Sequence, residues 1–361
     1  MAAREAAGLF RLWAVSQGLI QRDHIAPVVV DEAARADYAA LGEIRPAAVA
    51  ILHARAISFV GYDEPRNAVI VFTHRKLTKR EITVLPSETE DGSSIEYRQG
   101  AHGAAGGPPT APIGVAPYAV HAGRYTCGSS IHPANVVDAG TLGCLVRDAA
   151  GTLFGLTNNH VSGGCNFSHP GLPILAPGPV DVGPNGVDPF TIGYHARLLP
   201  MVDGLPQNVN VADNSDAALL QIKDPAKVSS MQRGHFDTPA ATAPIAVGDA
   251  VKKVGRTTGL TEGIVRAAVY GPELIRYRVS AAGGALKLVF LSNLLVVEGA
   301  GGRFASGGDS GSLVTVDLAG GERRAVGLVV AVNDTNGLCF VLPIEPILQA
   351  FGVNLVSGHN I

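Results

Sequence analysis

Gly307-Gly308-Asp309-Ser310-Gly311-Ser312-Leu313-Val314 places a serine in a glycine-rich turn, immediately ahead of an apolar, strand-like run. A serine hydroxyl is a weak nucleophile until a neighbouring base takes its proton. Glycines beside it let backbone N–H groups approach a developing oxyanion that side chains would otherwise obstruct. The octet therefore predicts a histidine base and an orienting acid elsewhere in the chain.

Both are present. Leu156-Thr157-Asn158-Asn159-His160-Val161 carries a histidine just after an apolar segment, and Asn214-Ser215-Asp216-Ala217-Ala218-Leu219-Leu220 carries an aspartate just before another. Asp213 is a rival acid, but Asp216 directly precedes the apolar run. The chain order is His, Asp, Ser, not the Ser, acid, His order that follows a Gly-x-Ser-x-Gly elbow. That elbow is absent, because Ser312 stands where it requires glycine. Taken alone, the serine octet could be a turn between strands and His160 a packed core histidine. The matching order of all three motifs favours a catalytic reading.

Composition narrows the class. The 361 residues are 47% hydrophobic and only 16% charged, which excludes a disordered chain. A net charge of −3 without a long basic run leaves no electrostatic footprint for nucleic acid. The 44 glycines and 23 prolines suit many short strands joined by turns. The longest apolar run, Leu288–Val297, is interrupted by Ser292 and Asn293 and is too short to span a membrane. Met1–Phe10 lacks the apolar core of a secretory signal, so a cytoplasmic location is expected. Cys127, Cys144, Cys165 and Cys339 are then most simply reduced thiols, with a Cys144–Cys165 bridge as the alternative. The ten histidines other than His160 show no ligand spacing with Cys or acids, so no metal is expected. Residues 100–117 lack the Gly-Lys-Ser/Thr of a phosphate loop, and no cofactor is expected.

Residues 1–100 read as a helical lead and a small α/β module. Helix formers run over Asp31–Leu41 with Gly42 to end them, and Pro46–Leu52 reads as a second helix. A hairpin follows over 56–73, then a strand near 94–98. Gly/Pro-rich residues 101–117 read as a linker. Residues 118–361 read as short strands, among them one continuous strand over 288–297, closed by a helix over 343–351. That length and pattern suit two packed β-barrels.

These motifs resemble the chymotrypsin-like serine peptidases. The Gly255–Gly263 segment resembles a second-barrel segment of bacterial members, and the Gly140–Gly143 strand start, the Thr157–Val161 histidine motif and the small hairpin module ahead of the barrels are similar to intracellular bacterial trypsin-like peptidases and plant NARROW LEAF proteins. The resemblance implies a mainly β double-barrel fold and a serine endopeptidase acting on a protein or peptide. Ser310 would attack the carbonyl, His160 would move the proton, Asp216 would hold the imidazole, and the Gly308 and Ser310 N–H groups would form the oxyanion hole.

Three expectations concern departures from the family pattern. Asp309 is expected to be paired by Lys253 or Arg256 rather than by a freed N-terminal amine. Phe304 stands at the position implied for the base of the specificity pocket, which argues against cleavage after Lys or Arg. Val330 and Val332 stand in the implied pocket wall, where Val332 would narrow the pocket toward small apolar side chains and Val330 replaces a serine that supports the acid in the family. The N-terminal module would serve a regulatory partner or homo-oligomer. Competing readings are a weakly catalytic binding scaffold and an esterase or acyltransferase.

Overall fold

The computed structural model describes residues 2–20, 25–183, 186–333 and 335–361. Met1 and His24 lie outside them. Six strands close into a ring through consecutive antiparallel pairings: Ala250–Gly255, Gly259–Val269, Leu295–Gly299, Leu338–Pro343, Arg323–Asn333 and Leu313–Asp317, which pairs back onto the first. Its interior holds Val251, Val265, Val297, Phe304, Val314 and Val341. A second sheet of eight strands, curled as a half-barrel, carries Cys144–Asp148, Leu153–Thr157, Ala218–Ile222 and Phe190–Leu198 in neighbouring positions. The expected mainly β double-barrel class is the observed one.

The single strand expected over 288–297 is two strands, Ala285–Leu291 and Leu295–Gly299. Between them Asn293 adopts φ of 60°, a left-handed turn residue that ends one strand and aims the next into the barrel. The helix expected over 31–41 begins earlier, at Pro27, and stops at Arg35. Asp37 ends it locally: its carboxylate accepts the Ala39 N–H and starts a separate short turn over Ala39–Leu41. Gly42, at φ of 74°, closes that turn. The later helices, Pro46–Arg55 and Ile344–Phe351, lie where the prolines and periodicity put them.

The N-terminal strands do not stand apart from the barrel. Ile57–Asp63, Ala68–Thr73 and Ser94–Gln99 form a small sheet whose first strand pairs with the barrel through Gly61↔Val269 and Tyr62↔Ala268. The helix Ala3–Ser16 packs Phe10, Trp13 and Ala14 against this sheet's outer face, over Val60, Val69 and Val71. The stretch expected as a linker also carries structure. Its strand Gly103–Gly106 pairs in parallel with Glu273–Val279 and meets the barrel strand at Ala104↔Val332. Two small residues, Gly103 and Ala105, allow this, because their positions are buried against larger neighbours. All four cysteines are buried and free, so the Cys144–Cys165 bridge does not form. Among the described residues no helix is long and apolar enough to cross a membrane, and no group of ligands could hold a metal ion.

Candidate active site

His160 follows the strand Leu153–Thr157 in a single widened helical turn, Asn159–Gly163. Neighbouring amides hold that turn: Asn158 Nδ2 donates to Asp216 O at 2.7 Å, and Asn159 Nδ2 to Leu199 O at 2.8 Å. Asp216 lies at the mouth of the adjacent strand Ala218–Ile222 and is fully buried. Its Oδ2 sits 2.6 Å from His160 Nδ1, and its Oδ1 accepts the His160 backbone N–H at 3.0 Å. The carboxylate thus fixes both ends of the histidine and aims Nε2 away from itself. Asp213, the rival, instead accepts a bond from Asn210 near the surface.

Tyr277 completes this pair, and no local motif marks it. Its hydroxyl donates to Asp216 Oδ2 at 3.0 Å, and its ring lies 5.4 Å from the His160 ring. Burial pushes the phenol's pKa well above its ordinary value, so it stays a neutral donor. Alternation along Glu273–Val279 could have marked Tyr277 as inward-facing, but nothing local says which carboxylate it meets.

Ser310 reaches the same cleft from the other barrel. The cleft, about 120 Å³, is lined by Ser310, His160, Gly308, His132 and Val332 among others. No hydrogen bond joins Ser310 Oγ to His160 among the described residues, although both line this cleft. Gly308 adopts φ of 98°, and a Cβ there would stand 2.6 Å from Thr257 Oγ1. This conformation leaves the Gly308 and Ser310 N–H groups without an acceptor among the described residues, while Asp309, Gly311 and Ser312 all donate within the protein. Two unpaired donors beside a serine hydroxyl are what an oxyanion requires.

Thr141 clamps the serine turn from the first barrel. Its N–H donates to Ser310 O at 2.9 Å, and its hydroxyl to Gly308 O at 2.9 Å. Thr157 Oγ1 donates in turn to Thr141 O at 2.8 Å. The clamp joins the histidine strand to the serine turn and is a tertiary feature.

Asp309 turns inward and is fully buried. Its Oδ1 accepts the Thr257 N–H at 2.7 Å, and its Oδ2 accepts Thr258 Oγ1 at 2.7 Å and the Ser306 N–H at 3.0 Å. Lys253 Nζ lies 3.3 Å away. Burial lowers the Lys253 pKa, opposed by the Asp309 charge. Of the two cations expected there, only Lys253 reaches Asp309. Arg256 points the other way and makes a two-pronged bond to Asp181, with Nε to Oδ2 at 2.8 Å. Asp181 also accepts Ser130 Oγ at 2.6 Å.

The pocket expectations need correction. Phe304 is fully buried inside the closed barrel, packed with Val251 and Val297, and does not line the cleft. Val330 is likewise fully buried. Strict alternation would put Val330 and Val332 on one face, but the register shifts between Val329 and Ala331, so Val330 packs into one core cluster while Val332 packs into the other and reaches the cleft. His132 was not singled out by the sequence. It is buried in the cleft wall, with no partner for Nδ1 among the described residues, and burial lowers its pKa to about 4.

With the ring of six strands, the half-barrel and the site between them in place, the fold can be named. The chain has a chymotrypsin-like double-barrel fold. A family model described as the Nal1 C-terminal domain matches residues 230–343, the segment that carries most of the closed barrel and Ser310. Among solved structures the chain is similar to Thermobifida fusca Protease A, at 20% identity and a TM-score of 0.42, over 64% of this chain and 98% of that one. It is also similar to a glutamic acid specific serine protease, at 21% identity and 0.42, over 64% and 100%. A Nocardiopsis protease aligns at 18% identity and 0.42, over 64% and 97%. No curated protein matches the sequence. At these identities the resemblance to chymotrypsin-like serine proteases is one of fold, and the double-barrel description rests on the strand pairings above.

Proposed function

We propose that the chain is a serine endopeptidase. The observation that carries this reading is the meeting, in one cleft between barrels, of the buried Asp216–His160 pair and Ser310 with two unpaired N–H donors. His160 Nε2 takes the Ser310 proton as Oγ adds to the scissile carbonyl. Asp216 keeps Nδ1 protonated and stabilises the imidazolium. The Gly308 and Ser310 N–H groups hold the oxyanion. The imidazolium then gives its proton to the leaving amine, and water, activated by the same base, hydrolyses the acyl-enzyme. Lys253 and Asp309 keep the turn formed without a freed N-terminus.

Phe304 lies in the core and does not bear on cleavage after Lys or Arg. A preference for small apolar groups rests on Val332 at the cleft wall. The four unbridged, buried cysteines suit the reducing cytoplasm. A fluorophosphonate probe tests the chemistry: labelling of wild type and none of Ser310→Ala is expected. An unlabelled wild type would favour a binding scaffold, and turnover of esters without peptides would favour an esterase. Cleavage profiles of a whole proteome with wild type and Ser310→Ala would then give the substrates.

A further inference from the structure

The strand Gly103–Gly106 lies on the barrel edge that borders the cleft. Its antiparallel register sets Ala104 opposite Val332. Continued by two residues, that register carries Gly106 toward Val330. The next residue along, Val329, accepts the Gly311 N–H at 2.9 Å, directly beside Ser310. The strand therefore runs toward the serine. Gly106 and Gly107, at φ of 72° and 86°, then bend the chain away. It reattaches on the opposite rim, where the Thr110 N–H donates to Gly307 O at 3.0 Å and Arg256 donates to Thr110 O. Residues 104–108 and Thr110 line the same cavity as Ser310 and His160.

An extended peptide recognised by a sheet edge gains affinity from main-chain bonds and specificity from its alternate side chains. Here that edge is already filled by the chain itself. We propose that residues 103–110 form a built-in strap over the peptide-binding edge, and that the substrate is an unstructured segment with small residues at alternate positions, which enters by replacing the strap. This rests on the reading of Ser310 as the nucleophile. The small-residue requirement follows from space. A Cβ at position 103 would stand 2.8 Å from the Phe340 ring, 2.9 Å from Ile275 and 3.0 Å from Ala331. Ala105 is buried two residues on. The two left-handed glycines also explain how a strap can lie there uncut: a scissile bond must be presented in extended backbone, and this one turns away.

The strap competes as a tethered ligand, so its release raises the affinity for a free peptide. The test uses the full chain carrying Ser310→Ala and a fluorescein-labelled copy of residues 101–108, read by anisotropy. Adding Gly106→Ala unseats the strap, because the new Cβ would stand 2.3 Å from Arg278 O. This variant is expected to bind at least about tenfold tighter than Ser310→Ala alone. Adding Ala104→Cys with Val332→Cys instead locks the strap under oxidation. The oxidised form is expected to lose binding by about tenfold or more, with recovery on reduction. Equal affinity in all forms, or no binding even with Gly106→Ala, overturns the strap. Failure of the nucleophile reading shows separately, as absent fluorophosphonate labelling of the wild type.

Discussion

Lys253 Nζ lies 3.3 Å from Asp309 Oδ2, and neither side chain is exposed. The residue next to the serine is thereby held by a cation from a neighbouring strand of its own barrel. Lys253→Met leaves the Asp309 carboxylate buried without a counter-charge, a change that costs about 3–5 kcal/mol. A fall in thermal midpoint and loss of Ser310 labelling are expected. Arg256→Ala should also lower the midpoint, through Asp181, while the Lys253–Asp309 pair persists. If Lys253→Met labels at the wild-type rate, the pair does not hold the site.

Tyr277→Phe removes one donor from the Asp216 carboxylate and keeps the ring. A hydrogen bond to a charged group contributes roughly 1.5–3 kcal/mol. A drop in kcat of about tenfold, with KM little changed, is expected, against about 10⁴ for Asp216→Asn. An unchanged kcat would reduce Tyr277 to a packing residue.

Gly308→Ala introduces a Cβ 2.6 Å from Thr257 Oγ1 at a backbone angle that disfavours side chains. The turn must shift and its N–H with it. Loss of one oxyanion donor costs about 10²–10³ in kcat. Circular dichroism should show the fold retained. Full activity in this variant would place the oxyanion elsewhere.

His132 predicts an acid-sensitive stability. Its folded pKa is lowered to about 4 from an ordinary 6.5, so the unfolded chain binds the proton more readily. The stability it preserves is complete above about pH 6.5 and is lost as the pH falls toward 4, by roughly 3 kcal/mol in all. Urea unfolding between pH 7 and 4.5 should show this decline, and His132→Gln should flatten it. Parallel declines in both proteins would assign the effect to other groups.

The site was legible in part. His160, Asp216 and Ser310 sit in local motifs, each beside a strand whose apolar run is visible, and the structure puts His160 and Ser310 in one cleft with Asp216 buried behind His160. Lys253 was one of two cations offered to Asp309, and only strand pairing decided between them. Phe304 and Val330 lie in the core rather than at the pocket, because burial depends on how the barrel strands turn their faces, which local sequence does not carry. The strand Gly103–Gly106 looks like a linker in sequence because its glycines and alanines carry no periodic signal. It forms only where two existing strands offer their edges.

The sequence by itself determined the strand-rich class, the order of the three site motifs and the turn that displays Ser310, because those depend on neighbours within a few residues. Only the tertiary structure decided that Tyr277 meets Asp216, that Thr141 clamps the serine turn, and that residues 104–108 line the cleft. Each of these joins segments far apart in the chain, and such contacts exist only once the barrels have closed.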